Sequence, residues 1–387
     1  MQSEPLTHLS LRDIMTLSKI SMRYPPFDRD RTNPAKLDIM ECVVRSDSDL
    51  IKPIEIGDVS SWHAHWKPLE TEYKGNIRDI NVSTEPDEEI VSKRRGWFIK
   101  PDPLHRISRK ILPFGVFAIF SALILQAVFG NQLGKIPVLG NILGTPIAIG
   151  PLDYPAILFI AFPLFIIPIL LRIVSNLRDI RMQRKLNSHP LEDMRLEVTY
   201  NKENIILKIK HCPPNFIPHR ARVVVGMLVP ERKELLDVVN RETGGQPPPG
   251  LSTPTPVFLV ALGESDGSSV GESVPMALDN AGSLLLEPLR VSDSGSWVNI
   301  TTRESEIRLF EPNVVWPGSI YSPLFSIHWE VQIIGKKITQ DRDNNESDVN
   351  IGWSQEFIVP HRDEKISIPD MPLSAVRDLD PIGDWPV

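Results

Sequence analysis

Two apolar stretches decide how this chain is read. They are Ile111–Phe129, ILPFGVFAIFSALILQAVF, and Tyr154–Leu171, YPAILFIAFPLFIIPILL. Neither contains a charged residue. At a rise of about 1.5 Å per residue they extend roughly 27–28 Å as helices, close to the ~30 Å of a bilayer's hydrocarbon core. Ile173 and Val174 lengthen the second run beyond Arg172, whose long stem can carry its charge to the surface. A helix in a soluble core keeps a polar stripe, yet only Ser121 and Gln126 interrupt the first run. The expectation is two membrane spans, over residues 111–129 and 154–174.

Lysine and arginine set the expected orientation. Lys93, Arg94, Arg95, Lys100, Arg106, Arg109 and Lys110 precede the first run, and Arg172, Arg178, Arg181, Arg184 and Lys185 follow the second. The loop between them, Gly130–Asp153, holds only Lys135. Both flanks are therefore expected in the cytoplasm, giving a multi-pass helical hairpin with N- and C-termini inside. No apolar stretch resembling a leader precedes Ile111, so the first span is expected to act as an internal signal anchor.

The chain has 387 residues and a formal net charge of -7. Mild acidity with local basic patches argues against a nucleic-acid partner. The basic residues gather beside the apolar runs, where anionic lipid headgroups would attract them. Cys42 and Cys212 lie on opposite sides of the hairpin without a C-x-x-C motif, which agrees with a reducing compartment. Three N-x-[ST] triplets, at Asn81, Asn299 and Asn345, would then face inward and carry no sugar.

The remaining sequence divides around the hairpin. Residues 1–92 form an N-terminal cytoplasmic region expected to be partly ordered. Within it Leu11, Ile14, Met15 and Met22 suggest a helix capped at Ser10. Residues 93–110 form a basic juxtamembrane segment, with Trp97 and Phe98 expected at the bilayer interface. The hairpin occupies 111–174, and residues 175–190 continue as a basic helix. Pro163 and Pro168 predict a kink in the second span.

From Leu191 the pattern changes to strands. Leu196, Val198 and Tyr200 alternate with polar residues, and Ile205–Lys210 returns after a turn. Phe325, Ile327, Trp329, Val331 and Ile333 share one face of another strand, with Ser326, His328, Glu330 and Gln332 on the other. Short strands with Gly/Pro-rich turns predict an all-β sandwich over 191–361 and an extended tail over 362–387. The segments YSPLFSIHWEVQIIG (321–335) and SQEFIVP (354–360) resemble the closing hairpin of arrestin-like or immunoglobulin-like sandwiches. That resemblance covers about 312–360 and implies a fold and a binding habit, with no site residue carried over.

Four constellations bear on chemistry. Gly263-Glu264-Ser265-Asp266-Gly267 matches the G-x-S-x-G of a nucleophile elbow, but the residues after Ser265 do not form the helix such an elbow needs. His63 and His65 share a strand face, yet no third ligand stands at a recognisable spacing, so no metal is expected. His211-Cys212 precedes two prolines and is read as structural. The layout of two spans, a short loop and a β domain is similar to that of inward-rectifier potassium channels. Pro146–Gly150, however, lacks the threonine and second glycine of their filter.

The reading that follows is a membrane-anchored, non-enzymatic scaffold whose cytoplasmic β-sandwich meets a protein partner. It has no catalytic, cofactor-binding or metal-ligating residue. Its alternatives are a subunit of a membrane channel or transport complex, and a membrane-bound serine hydrolase using Ser265. Gly115, Ala118 and Ala122 form a stripe of small residues suited to helix contact, which leaves a homo-oligomer open.

Overall fold

A computed structural model describes residues 17–23, 25, 33–36, 39–46, 52–70, 73–80, 82, 95–99, 102–133, 146–149, 152–188, 191–201, 204–228, 291–301, 306–322, 324, 326–340 and 346–373. The chain divides into two units, one of residues 1–100 and 191–387 and the other of residues 101–190. The first is built of strands. The second is dominated by two long apolar helices.

In the β unit, β1 (Leu17–Arg23), β2 (Met40–Ser46), β3 (Ile54–Gly57), β4 (His63–Pro68) and β5 (Ile77–Ile80) share a six-stranded sheet with β17 (Ile366–Ile368). Its order is β17-β3-β4-β1-β2-β5. The last strand among the described residues thus completes a sheet that the first hundred residues begin. It pairs parallel to β3, with Ile366 opposite Ile54 and Ile368 opposite Ile56. Met22, expected in a helix, lies instead in β1. That strand finds antiparallel partners on both sides, β2 and β4, and buries Leu17, Ile20 and Met22. Tertiary pairing overrides the weak helical spacing. Leu11, Ile14, Met15 and the proposed cap at Ser10 lie outside the described residues.

A second six-stranded sheet is centred on β15 (Ser326–Gln340). Its path is β12 (Val291–Ser294), β11 (Phe216–Leu228), β15, β16 (Glu346–Phe357) and β6 (Gly96–Ile99), with β13 (Val298–Asn299) also paired to β11. Trp97 and Phe98 therefore belong to a sheet, against the expectation of an interfacial segment. Gly352 is the reason at β6: a Cβ there would sit 2.3 Å from Phe98 Cζ, so the missing side chain makes room for the ring. Trp97 packs edge-on against Phe216 and Trp353, with ring centroids 4.8 and 5.0 Å away.

A three-stranded sheet has the order β14-β10-β9, from β9 (Arg195–Asn201), β10 (Asn204–His211) and β14 (Glu306–Leu309). The expected hairpin at 196–210 is its core. Gln355 on β16 donates to the Leu196 carbonyl at 3.3 Å, and Arg362 donates to Tyr200 Oη at 3.3 Å. These bonds tie the small sheet to the strands that follow it in sequence.

The helical unit contains α1 (Leu104–Leu133) and α2 (Ala156–Ser188). A short ribbon of β7 (Pro146–Ile149) and β8 (Leu152–Pro155) precedes α2. Pro103 stands just before the first helical residue, where a proline is compatible with a helix start. Asp102 caps that end, accepting from the Leu104 amide at 2.8 Å. Helix α2 is continuous through Pro163 and Pro168. Both helices are long and apolar enough to cross a membrane, over Lys110–Gly130 and Ala156–Met182. Their apolar side chains face outward: Phe114 is 76% exposed and Phe117 73%. A soluble core would bury them.

The helices meet through small residues. Ala122, Ile157 and Ala161 form one buried cluster, and a Cβ on Gly115 would stand 2.4 Å from the Leu164 carbonyl oxygen. Gly115 and Ala122 of the expected stripe therefore serve contact between the two helices of one chain.

Candidate functional site

The central strand β15 presents two faces. Ile327, Trp329, Val331 and Ile333 occupy one, fully buried. Alternation predicts that the opposite face meets water. Instead Ser326, His328, Glu330 and Gln332 are also buried, with Ser326 and Glu330 at 0% exposure. A polar row in a core costs free energy unless its groups are paired.

Those pairs are found across the sheet. With its proton on Nδ1, His328 donates to Glu356 Oε1 at 2.6 Å, and its Nε2 accepts from Ser326 Oγ at 2.6 Å. Tyr321 donates to the same Glu356 oxygen at 2.6 Å, and its ring stands edge-on to the imidazole at 5.2 Å. Ser354 donates to Glu330 Oε2 at 3.2 Å. Arg222 donates twice to Gln332 Oε1, at 3.2 and 3.1 Å, and lies over the Trp297 ring at 4.4 Å. Register places these groups together, since Glu330 lies opposite Glu356 and Gln332 opposite both Ser354 and Arg222. Burial, then the Glu356 charge, pushes the Tyr321 phenol well above its ordinary range, so it acts as a donor.

Ser326, His328 and Glu356 follow the connectivity of an acyl-transfer triad. Such a serine must touch its substrate, however, and Ser326 has no exposed surface. What the arrangement does chemically is satisfy buried polar groups and hold three strands in register. Among the described residues of this network, Glu356 Oε2 and Trp297 Nε1 are buried without a hydrogen-bond partner.

Ser265 lies outside the described residues. His63 and His65 do share a neighbourhood, with ring centroids 4.9 Å apart. Their Nε2 atoms are already engaged, that of His63 with Ser21 Oγ at 3.0 Å and that of His65 with the Gly57 carbonyl at 3.1 Å. Burial pushes His63 down to about 4. Among the described residues no group of three or more His, Cys, Asp or Glu is placed to hold a metal. Cys42 and Cys212 are free thiols. Burial raises Cys42 to about 11, which keeps it protonated and unreactive. His211 stands 3.0 Å from Glu192 Oε2.

The helical unit holds a polar cluster that the sequence reading did not anticipate. Asp179 accepts from the Asp102 amide at 3.0 Å and from His105 Nε2 at 2.8 Å. Arg178 lies 3.4 Å from Asp102 Oδ2. The start of α1 is thereby clasped to the later part of α2. A signal was present, because Asp179 is the single acidic residue in a 33-residue helix.

No protein-family profile, curated protein or solved structure matches this chain.

Proposed function

We propose that this chain is a membrane-anchored, non-enzymatic interaction protein. Its helical hairpin crosses the bilayer, and its β unit, read as a sandwich at the cytoplasmic face, meets a protein partner. The observation that carries this reading is strand pairing across the hairpin. Strand β6, before the helices, pairs with β16, after them, and β3 pairs with β17. Paired strands must share a compartment, so an even number of crossings must separate them. Two outward-facing apolar helices supply that number. The excess of lysine and arginine outside the loop favours the cytoplasm for the β unit. The closed state of Ser326 and the engaged Nε2 atoms of His63 and His65 favour binding over catalysis.

Two experiments test the reading. A cysteine placed at Asn141 should react with impermeant reagents only from the outer side; reaction only from the cytoplasmic side overturns the orientation. Crosslinking in native membranes should recover one defined protein with the full chain and not with residues 101–190 alone. Recovery of no specific partner, or labelling of Ser265 by a serine-reactive probe that Ser265→Ala abolishes, would defeat the scaffold assignment.

A further inference from the structure

Helix α2 does not stop where its apolar run ends. It continues from Arg172 to Ser188 without interruption, about 25 Å at 1.5 Å per residue. Along this extension Arg172, Arg181 and Arg184 are exposed, and among the described residues none has an acidic partner. Exposed Ile173, Val174, Leu177 and Met182 are interleaved with them. A helix end surrounded by water would have little reason to expose aliphatic residues among arginines. The boundary layer of a bilayer accommodates both.

The hairpin geometry sharpens this. Gly115 lies against Leu164 and Phe165, and Asp102 against Asp179, so the helices run antiparallel and Lys110 stands near the level of Arg172. Both cations sit where their helix's uncharged run ends. Side chains on a helix lean toward its N-terminus. Helix α1 enters the apolar zone from its N-terminal end, so Lys110 leans outward. Helix α2 leaves that zone toward its C-terminus, so Arg181, nine residues or about 13 Å past Arg172, leans back toward the zone's edge, while Arg172, at the edge itself, reaches the surface through its long stem. Lys110 and Arg181 thereby approach one layer just outside the apolar zone, where lipid phosphates lie, and Arg172 stands at its inner border.

We propose that Lys110, Arg172 and Arg181 form a collar that binds the phosphates of anionic phospholipid. This rests on the hairpin crossing a membrane, and adds to it a lipid class and the residues that select it. Arg178 is left out because it already meets Asp102. Each cation near an anionic surface contributes about fivefold to lipid preference, so the three together contribute up to about a hundredfold.

The test uses the full chain reconstituted in vesicles of phosphatidylcholine and phosphatidylserine in equal amounts. After extraction, the ratio of the two lipids retained by the protein is measured. Phosphatidylserine should be enriched several-fold. The triple variant Lys110→Gln, Arg172→Gln, Arg181→Gln should lose that enrichment, and Lys110→Arg, Arg172→Lys, Arg181→Lys should keep it. Wild-type protein that floats with vesicles but retains lipid in the bulk ratio overturns the collar and leaves the hairpin reading intact. Protein that fails to float with vesicles overturns the hairpin reading itself. Enrichment that is equal in phosphate and in chloride of the same ionic strength assigns the collar to lipid; enrichment lost in phosphate but kept in matched chloride identifies free phosphate as the ligand, and overturns the lipid assignment.

Discussion

At the scale of single residues, Glu356 matters most. It accepts from both His328 and Tyr321 inside the β unit. Glu356→Ala would leave two buried donors without their acceptor, at about 1–3 kcal/mol each. A melting experiment in detergent should show a large loss, whereas Glu197→Ala, which removes an exposed bridge to Lys210, should leave the midpoint almost unmoved. A second expectation concerns acid. His63 is held at about 4 against an ordinary 6.5, so the unfolded chain binds its proton first. Stability from this group is full above pH 6.5 and is lost as pH falls toward 4, up to about 2 kcal/mol once solvent screening is allowed for. Glu55 lies lower, at about 2, held by hydrogen bonds from Lys365 and Lys67. Its contribution is lost below its ordinary 4.5. Melting between pH 7 and 4 should therefore fall in wild type and fall less in His63→Gln; equal slopes would exclude His63 as the cause. The alternation along Ser326–Gln332 was legible in the sequence. The burial of its polar face was not, because Tyr321 and Trp297 complete that face from separate segments.

At the scale of elements, the helical runs were the most legible part of the chain, since an uncharged run of that length has few uses. The cluster at the start of α1 was less so, because it depends on which residues of α2 stand opposite. Gly115 illustrates the close contact. A Cβ there would approach the Leu164 carbonyl oxygen at 2.4 Å and Phe165 Cα at 3.0 Å, both backbone atoms. The neighbouring helix cannot yield by turning a side chain. Gly115→Val should therefore push the helices apart and cost about 1–3 kcal/mol of hairpin stability. Gly130→Val is the matched control, since a Cβ at Gly130 meets only the flexible Gln126 side chain. Proteolysis in detergent micelles should cleave the Gly115 variant much faster than the Gly130 variant. Equal rates would show that the helices do not pack through Gly115. Strand β6 was misread for a related reason. Trp97 and Phe98 beside basic residues suit an interface, and only the gap at Gly352 shows why a sheet takes them instead.

At the scale of the whole molecule, the chain leaves a β unit, forms two helices, and returns to complete the sheets it left. The hydropathy of the sequence revealed the helices but gave no sign of this completion, because β6 pairs with β16 and β3 with β17 across hundreds of residues. It follows that 191–387 alone lacks the strands it pairs with and should aggregate through open edges. The two parts of the β unit should nonetheless fold together without the hairpin. Trp97 Nε1 donates to the Glu192 carbonyl at 3.2 Å, so the points of departure and return lie close together. A flexible Gly/Ser linker of n residues spans about 5–6 Å × √n, so about eight residues suffice to join 100 to 191. The joined chain should purify without detergent, with a far-ultraviolet spectrum of strands and little helix, and should keep the acid sensitivity assigned to His63. If it requires detergent or melts without cooperativity, the helices contribute to the β core and the two units are not separable. If 191–387 alone gives the same folded spectrum, β6 and β3 are dispensable, and the same-compartment argument for the hairpin loses its basis.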